Sequence, residues 1–165
     1  MPDSEGFDEK IRLCEKIINY EFKDKFPCIE ALHTFNTSVM YMNELRSVRK
    51  NDSLAVLGDA VLAHHLCRQW YTTGNSRGQW SMVQREVAGN ENLACAAVYN
   101  GLNECLVVVE TVDFLSERML ATLMEAIIGA VSLDCGDDPA TMEALFFRLR
   151  LDHDLLISKS PAVPV

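Results

Sequence analysis

Apolar residues recur at helical spacing from the start of the chain. Phe7, Ile11, Cys14, Ile17, Ile18 and Tyr20 fall among charges, the pattern of an amphipathic helix over 7–21. Phe26-Pro27-Cys28 breaks that run, and 29–35 predicts a short helix. Residues 37–49 become polar toward their end and predict a helix or a loop leading into the next element. Asn51-Asp52-Ser53 offers N-cap chemistry, and 54–70 follows as a long apolar helix with Gly58 in its middle. Residues 72–78 hold Thr, Gly, Asn and Ser and predict a loop. Two further helices are expected at 81–87 and 92–100, separated by Ala88-Gly89-Asn90, the second ended by Gly101 at its C′ position. Leu106 to Val109 is a β-branched run without an evident partner strand, so it is expected to be irregular or a short helix. Ser116 caps a second long helix, 117–134, which contains Gly129, and Asp137-Asp138-Pro139 opens a last helix to about Leu151. Residues 158–165 contain two prolines and predict a loose tail.

No internal repeat and no linker divides this pattern. The expectation is one all-α domain over 10–152, a helical bundle, between an N-terminal extension, 1–9, and a flexible C-terminal tail, 153–165. A chain of 165 residues that is 48% hydrophobic is long and apolar enough to bury a real core. The net charge of −9 bears on partners. Nucleic-acid affinity rests on Lys and Arg neutralising phosphates, so an acidic domain must use a local patch or metal ions. The six cysteines form no C-x-x-C pair, and most fall inside apolar helical runs, as Cys67 and Cys95 do. Small buried hydrophobes in a reducing, intracellular compartment are the expectation. No apolar run reaches the ~20 residues of a membrane span, and the acidic start has no basic leader region.

The informative residues lie on the two long helices. Each carries acids inside an otherwise apolar helix, which is costly unless they are paired or metal-bound. Each also carries a glycine, which costs about 1 kcal/mol in a helix interior and marks close helix approach. The first reads Asn51-Asp52-Ser53-Leu54-Ala55-Val56-Leu57-Gly58-Asp59-Ala60-Val61-Leu62. The second reads Ala121-Thr122-Leu123-Met124-Glu125-Ala126-Ile127-Ile128-Gly129-Ala130, then Leu133-Asp134-Cys135-Gly136.

These resemble the ribonuclease III family, in which the helices read N-E-R-L-E-F-L-G-D-[SA]-V-L and A-D-x-x-E-A-x-I-G-A-x-x-x-D. Ile18 to Lys23, Glu30-Ala31-Leu32 and Ala88 to Ala94 with Gly101-Leu102 are similar to other family segments in the same order, so the likeness covers 10–150. It implies a dimerising endonuclease-domain bundle with the two long helices packed together. The family cleaves double-stranded RNA with Mg²⁺ or Mn²⁺ held by four acids, two on each helix. The i, i+4 and i, i+3 spacings put each pair on one helix face. Asp59 and Glu125 match two of those metal-binding, catalytic positions. Ala55 and Thr122 stand where the other two carboxylates belong, so the resemblance implies a metal site that is weak or lost.

Other departures agree. Asp52-Ser53 replaces Glu-Arg, and Gln79 stands near where the family carries an acid. Val56 replaces an aromatic that plugs into the partner subunit in the family. The dimer interface implied by the resemblance comprises Leu54, Val56, Leu57 and Val61. His64 and His65 are rotated off the Asp59 face. Trp70, Tyr71 and Trp80 are expected in packing or a subunit contact, and Arg46, Arg49 and Lys50 as a solvated basic cluster. No second basic RNA-binding module fits in the remaining chain.

Three functions stay open at this point. The first is a non-catalytic family member that binds RNA or a ribonucleoprotein, or heterodimerises with an active relative. The second is an active endoribonuclease, and the third a structural homodimer without RNA contact. None calls for a membrane.

Overall fold

A computed structural model describes residues 4–157. Its seven α-helices are α1 (Ser4–Ile18), α2 (Phe26–Leu32), α3 (Asp52–Thr73), α4 (Arg77–Ala88), α5 (Asn90–Asn100), α6 (Glu117–Cys135) and α7 (Pro139–Leu149). Two short strands, β1 (Thr37–Tyr41) and β2 (Glu44–Val48), lie between α2 and α3. The fold is the expected helical bundle. α6 is its centre: Leu120, Leu123, Met124 and the stretch from Ala126 to Val131 are all buried, and α2, α3 and α5 pack around it.

The α3–α6 crossing is set by the two glycines. A Cβ on Gly58 would collide with the carbonyl oxygen of Glu125 and lie 2.9 Å from the amide of Gly129. A Cβ on Gly129 would collide with the carbonyl oxygen of Leu54. Backbone thus touches backbone, and the approach brings the Asp59 and Glu125 turns together.

Residues 37–49 are a correction. They form an antiparallel hairpin, with Thr37 opposite Val48 and Tyr41 opposite Glu44, around a Met42-Asn43 turn in which both residues have positive φ, 51° and 63°. That is the geometry of a type I′ turn. Thr37, Val39 and Tyr41 face inward and Val48 is buried, but Met40 and Leu45 point outward, so apolar residues on both faces hid the period-two alternation. The run at 106–109 does find a partner, a single parallel bridge between Val107 and His33.

Two helix starts also differ from expectation. The Asn51 side chain is buried and donates from Nδ2 to the carbonyl of Ala31 (3.1 Å), tying α2 to α3 instead of capping. The loop expected over 72–78 shrinks to Gly74–Ser76, because α3 runs on to Thr73 and ends at Gly74 with φ +72°. The Ser76 hydroxyl accepts from the amide of Gln79 (3.2 Å), and the Gln79 side chain accepts from the amide of Ser76 (2.8 Å), a capping box that opens α4. Gln79, read as a lost acid, is therefore a helix-start residue.

The expected boundary at residue 10 falls inside α1. Residues 153–157, expected in the flexible tail, are tied down: the Asn75 side chain donates to the carbonyl of Leu155 (2.7 Å), and His153 Nε2 meets Glu86 (2.8 Å). The loose-tail expectation for 158–165 lies outside the described residues. No described helix is long and apolar enough to cross a membrane.

Candidate functional site

The candidate site lies where α3 and α6 face each other. Asp59 is exposed on α3. Glu125 is half-buried on α6, two residues before the buried Ile127. Burial, and then repulsion from the Asp59 carboxylate, pushes the Glu125 carboxyl up from 4.5 to about 7. The Asp59 carboxylate is thus close enough to raise the proton affinity of Glu125, which titrates near neutrality.

The other two matched positions carry no acid. Ala55 is only 5% exposed, its methyl spent in the core. Thr122 is half-buried one turn before Glu125 and offers a hydroxyl alone. Among the described residues, no group of three or more His, Cys, Asp or Glu side chains could hold a metal ion. Asp59, Glu125 and the Thr122 hydroxyl offer an ion two carboxylates fewer than the family's pattern supplies.

The histidines do not fill the gap. The His65 ring lies 4.3 Å from that of Phe146, and His65 Nε2 accepts from Gln69 (3.1 Å). Burial lowers its pKa, partly offset by Glu143 and reinforced by His64. His33 is buried and bonded through Nδ1 to the Ile29 carbonyl (2.7 Å). A cleft of about 690 Å³ between α3 and α7 is lined by Val61, His65, Arg68, Met142 and Glu143. Neither Asp59 nor Glu125 lines it.

Asp134, at the end of α6, is a structural acid. It accepts from the Tyr20 hydroxyl (2.5 Å) and from the amides of Lys23 and Asp24 (2.9 Å each). Burial pushes its carboxyl up, but these donors outweigh that and hold it below its ordinary value. The family pattern that ends on Asp134 marked the position without revealing the partners.

Of the residues expected at a subunit interface, Leu54 is buried in the protomer's own core. Val56 is 74% exposed, and Leu57 and Val61 are half-buried. Trp70 and Trp80 pack on each other, centroids 5.6 Å apart, and Tyr71 stands exposed. Arg46 lies over the Phe26 ring (3.8 Å) and Arg49 pairs with Glu30 (3.2 Å), so the basic cluster is partly engaged. Cys14, Cys28 and Cys105 share one buried pocket, whereas Cys67 is half-buried and Cys95 exposed, against the expectation for both.

A family model described as ribonuclease-III-like matches residues 37–148. The chain belongs to that family. The ribonuclease 3 of Chlorobium chlorochromatii is 34% identical over 113 residues, which is 64% of this chain and 43% of that protein. That of Clostridium perfringens is 30% identical over 134 residues, 76% of this chain and 54% of that protein. The chain spans about half the length of the curated relatives it matches. The nuclease domain of ribonuclease III from Campylobacter jejuni superposes with a TM-score of 0.67 at 26% identity, covering 87% of this chain and 94% of that one. Flexibility has been described in the region of that domain involved in dimer formation. The matched residues include both long helices, with Asp59 and Glu125 on them.

Proposed function

We propose that this ribonuclease III-like domain is a pseudonuclease: a dimerising scaffold that acts in RNA binding, ribonucleoprotein assembly or the regulation of RNA processing, without cutting RNA itself. The observation that carries the reading is Ala55. It is buried, a methyl group where the resemblance calls for a carboxylate, and offers a metal ion no ligand. Thr122 makes the same change on the facing helix. The exposed Val56, with Leu57, Ala60 and Val61 along α3, supports pairing with a second copy or with an active relative. The six free thiols suit an intracellular, reducing compartment.

A second reading is an active Mg²⁺- or Mn²⁺-dependent endoribonuclease that relies on Asp59 and Glu125. One observation favours it: a half-buried acid with a strongly raised pKa beside a second acid is the kind of group that functional sites collect. A structural dimer without RNA contact is favoured by the charge of −9.

The test is cleavage of a long labelled double-stranded RNA by excess protein with Mg²⁺ or Mn²⁺, beside Asp59→Ala and Glu125→Ala. The pseudonuclease leaves the RNA intact in all three. Cleavage by the parent that both variants lose establishes the nuclease. Salt-dependent retention of uncut RNA separates an RNA-binding scaffold from a structural dimer.

A further inference from the structure

The β1–β2 hairpin turns its largest apolar side chains away from the molecule. Met40 is 66% exposed and sits directly opposite Leu45, 71% exposed. The turn adds Met42, 80% exposed, at a φ of +51° that glycine or asparagine would adopt with less strain. None of the three packs against the core, whereas Val39 and Tyr41 from the other face do. Apolar side chains on an open two-stranded sheet invite association unless something covers them.

The backbone is open as well. Tyr41 and Glu44 flank the two-residue turn as a hydrogen-bonded pair, so the alternate pairs, Met40–Leu45 and Ser38–Ser47, point their N–H and C=O groups outward. Among the described residues no other backbone bond reaches the hairpin, and Glu44 to Ser47 of β2 are all exposed. Arg46, and Lys50 just beyond the strand, outweigh Glu44 and leave this edge cationic in a chain of net charge −9. RNA is a poorer fit than protein here. With Arg49 paired to Glu30 and Glu44 on the same strand, Arg46 and Lys50 are too few cations to track a run of phosphates, though enough to meet isolated carboxylates. The hairpin's one aromatic ring, Tyr41, faces inward with its hydroxyl donating to Asp24 (2.8 Å).

We propose that β2 is a docking edge for an extended segment of a protein partner that alternates apolar and acidic residues. The segment adds as a third strand, pairing with the outward groups of Leu45 and Ser47. Strand alternation then puts its apolar residues on the face of Met40 and Leu45, and its carboxylates on the face of Arg46 and toward Lys50. The inference does not rest on the pseudonuclease reading.

The test titrates the isotope-labelled full chain with a short synthetic peptide of alternating Val and Glu, and with its Val and Lys counterpart, following amide resonances. The expected result is perturbation centred on Glu44–Val48, with the Glu peptide bound at least about tenfold more tightly. Ser47→Pro removes one outward N–H without touching the β1–β2 ladder and abolishes binding; Leu45→Ser weakens it about tenfold. Both variants should melt with the parent, which shows that they are folded. Equal affinity for the two peptides, no binding of either, perturbation elsewhere, or unchanged binding by Ser47→Pro overturns the proposal. So does a Leu45→Ser variant that instead loses RNA binding or self-association, which assigns the face to RNA or to a second copy.

Discussion

Glu125→Gln is expected to stabilise the protein at alkaline pH and to change little in acid. Glu125 has a folded-state pKa raised from 4.5 to about 7, by burial first and by Asp59 second. A raised pKa means that the folded state holds the proton more tightly than the unfolded chain. The stability it contributes is therefore fully present below about 4.5 and lost as pH rises through about 7. At face value the shift corresponds to about 3 kcal/mol. Glu125 is only half-buried, so solvent screening reduces this to about 1–2 kcal/mol. The neutral amide removes the ionisation while keeping the shape. Thermal melts in the presence of a chelator should show the variant level with the parent near about pH 4.5 and about 2–8 °C more stable near about pH 8.5. Asp59→Asn should recover only the smaller, repulsive part. An equal effect at both pH values would show that Glu125 is not titrating between them. A variant less stable than the parent at alkaline pH would show that the ionised carboxylate has a favourable partner, and would refute the reasoning.

Gly58→Ala and Gly129→Ala each drive a methyl into backbone across the α3–α6 crossing and should cost about 3 kcal/mol or more, read as a lower urea midpoint. Asp134→Ala strands the Tyr20 hydroxyl and two amides and should cost about 2–3 kcal/mol at neutral pH. Because that carboxyl is held below its ordinary value, its contribution is lost as pH falls, so parent and variant should converge in acid melts. Ser76→Ala should cost about 1 kcal/mol through loss of the capping box, with faster amide hydrogen exchange confined to the start of α4.

The sequence made the long helices legible because their signals agree. Apolar spacing, the Ser116 cap and the closing Gly136 all point to α6, and interior glycines on α3 and α6 marked the close crossing. The hairpin was illegible because Met40, Met42 and Leu45 face solvent, which erased the alternation a half-buried strand shows, and because its turn lacks the usual glycine. Asn51 was misjudged because its side chain serves a contact with α2, distant in sequence, that no local rule carries. Gln79 could have been read correctly: Ser76-Arg77-Gly78-Gln79 is a capping-box spacing. At the site, the family resemblance, not spacing, paired Asp59 with Glu125 and identified Ala55 and Thr122 as the departures. The raised proton affinity of Glu125 was not legible, since it depends on the depth of burial of one helix face.

The most direct test of the central claim is divalent-ion binding at the α3–α6 site, measured by Mn²⁺ paramagnetic resonance on the parent, Asp59→Ala and the double variant Ala55→Glu/Thr122→Asp. The pseudonuclease reading expects no saturable site in the parent below about 1 mM, and a tighter site once the two carboxylates are restored. A saturable site in the parent that Asp59→Ala abolishes would contradict it.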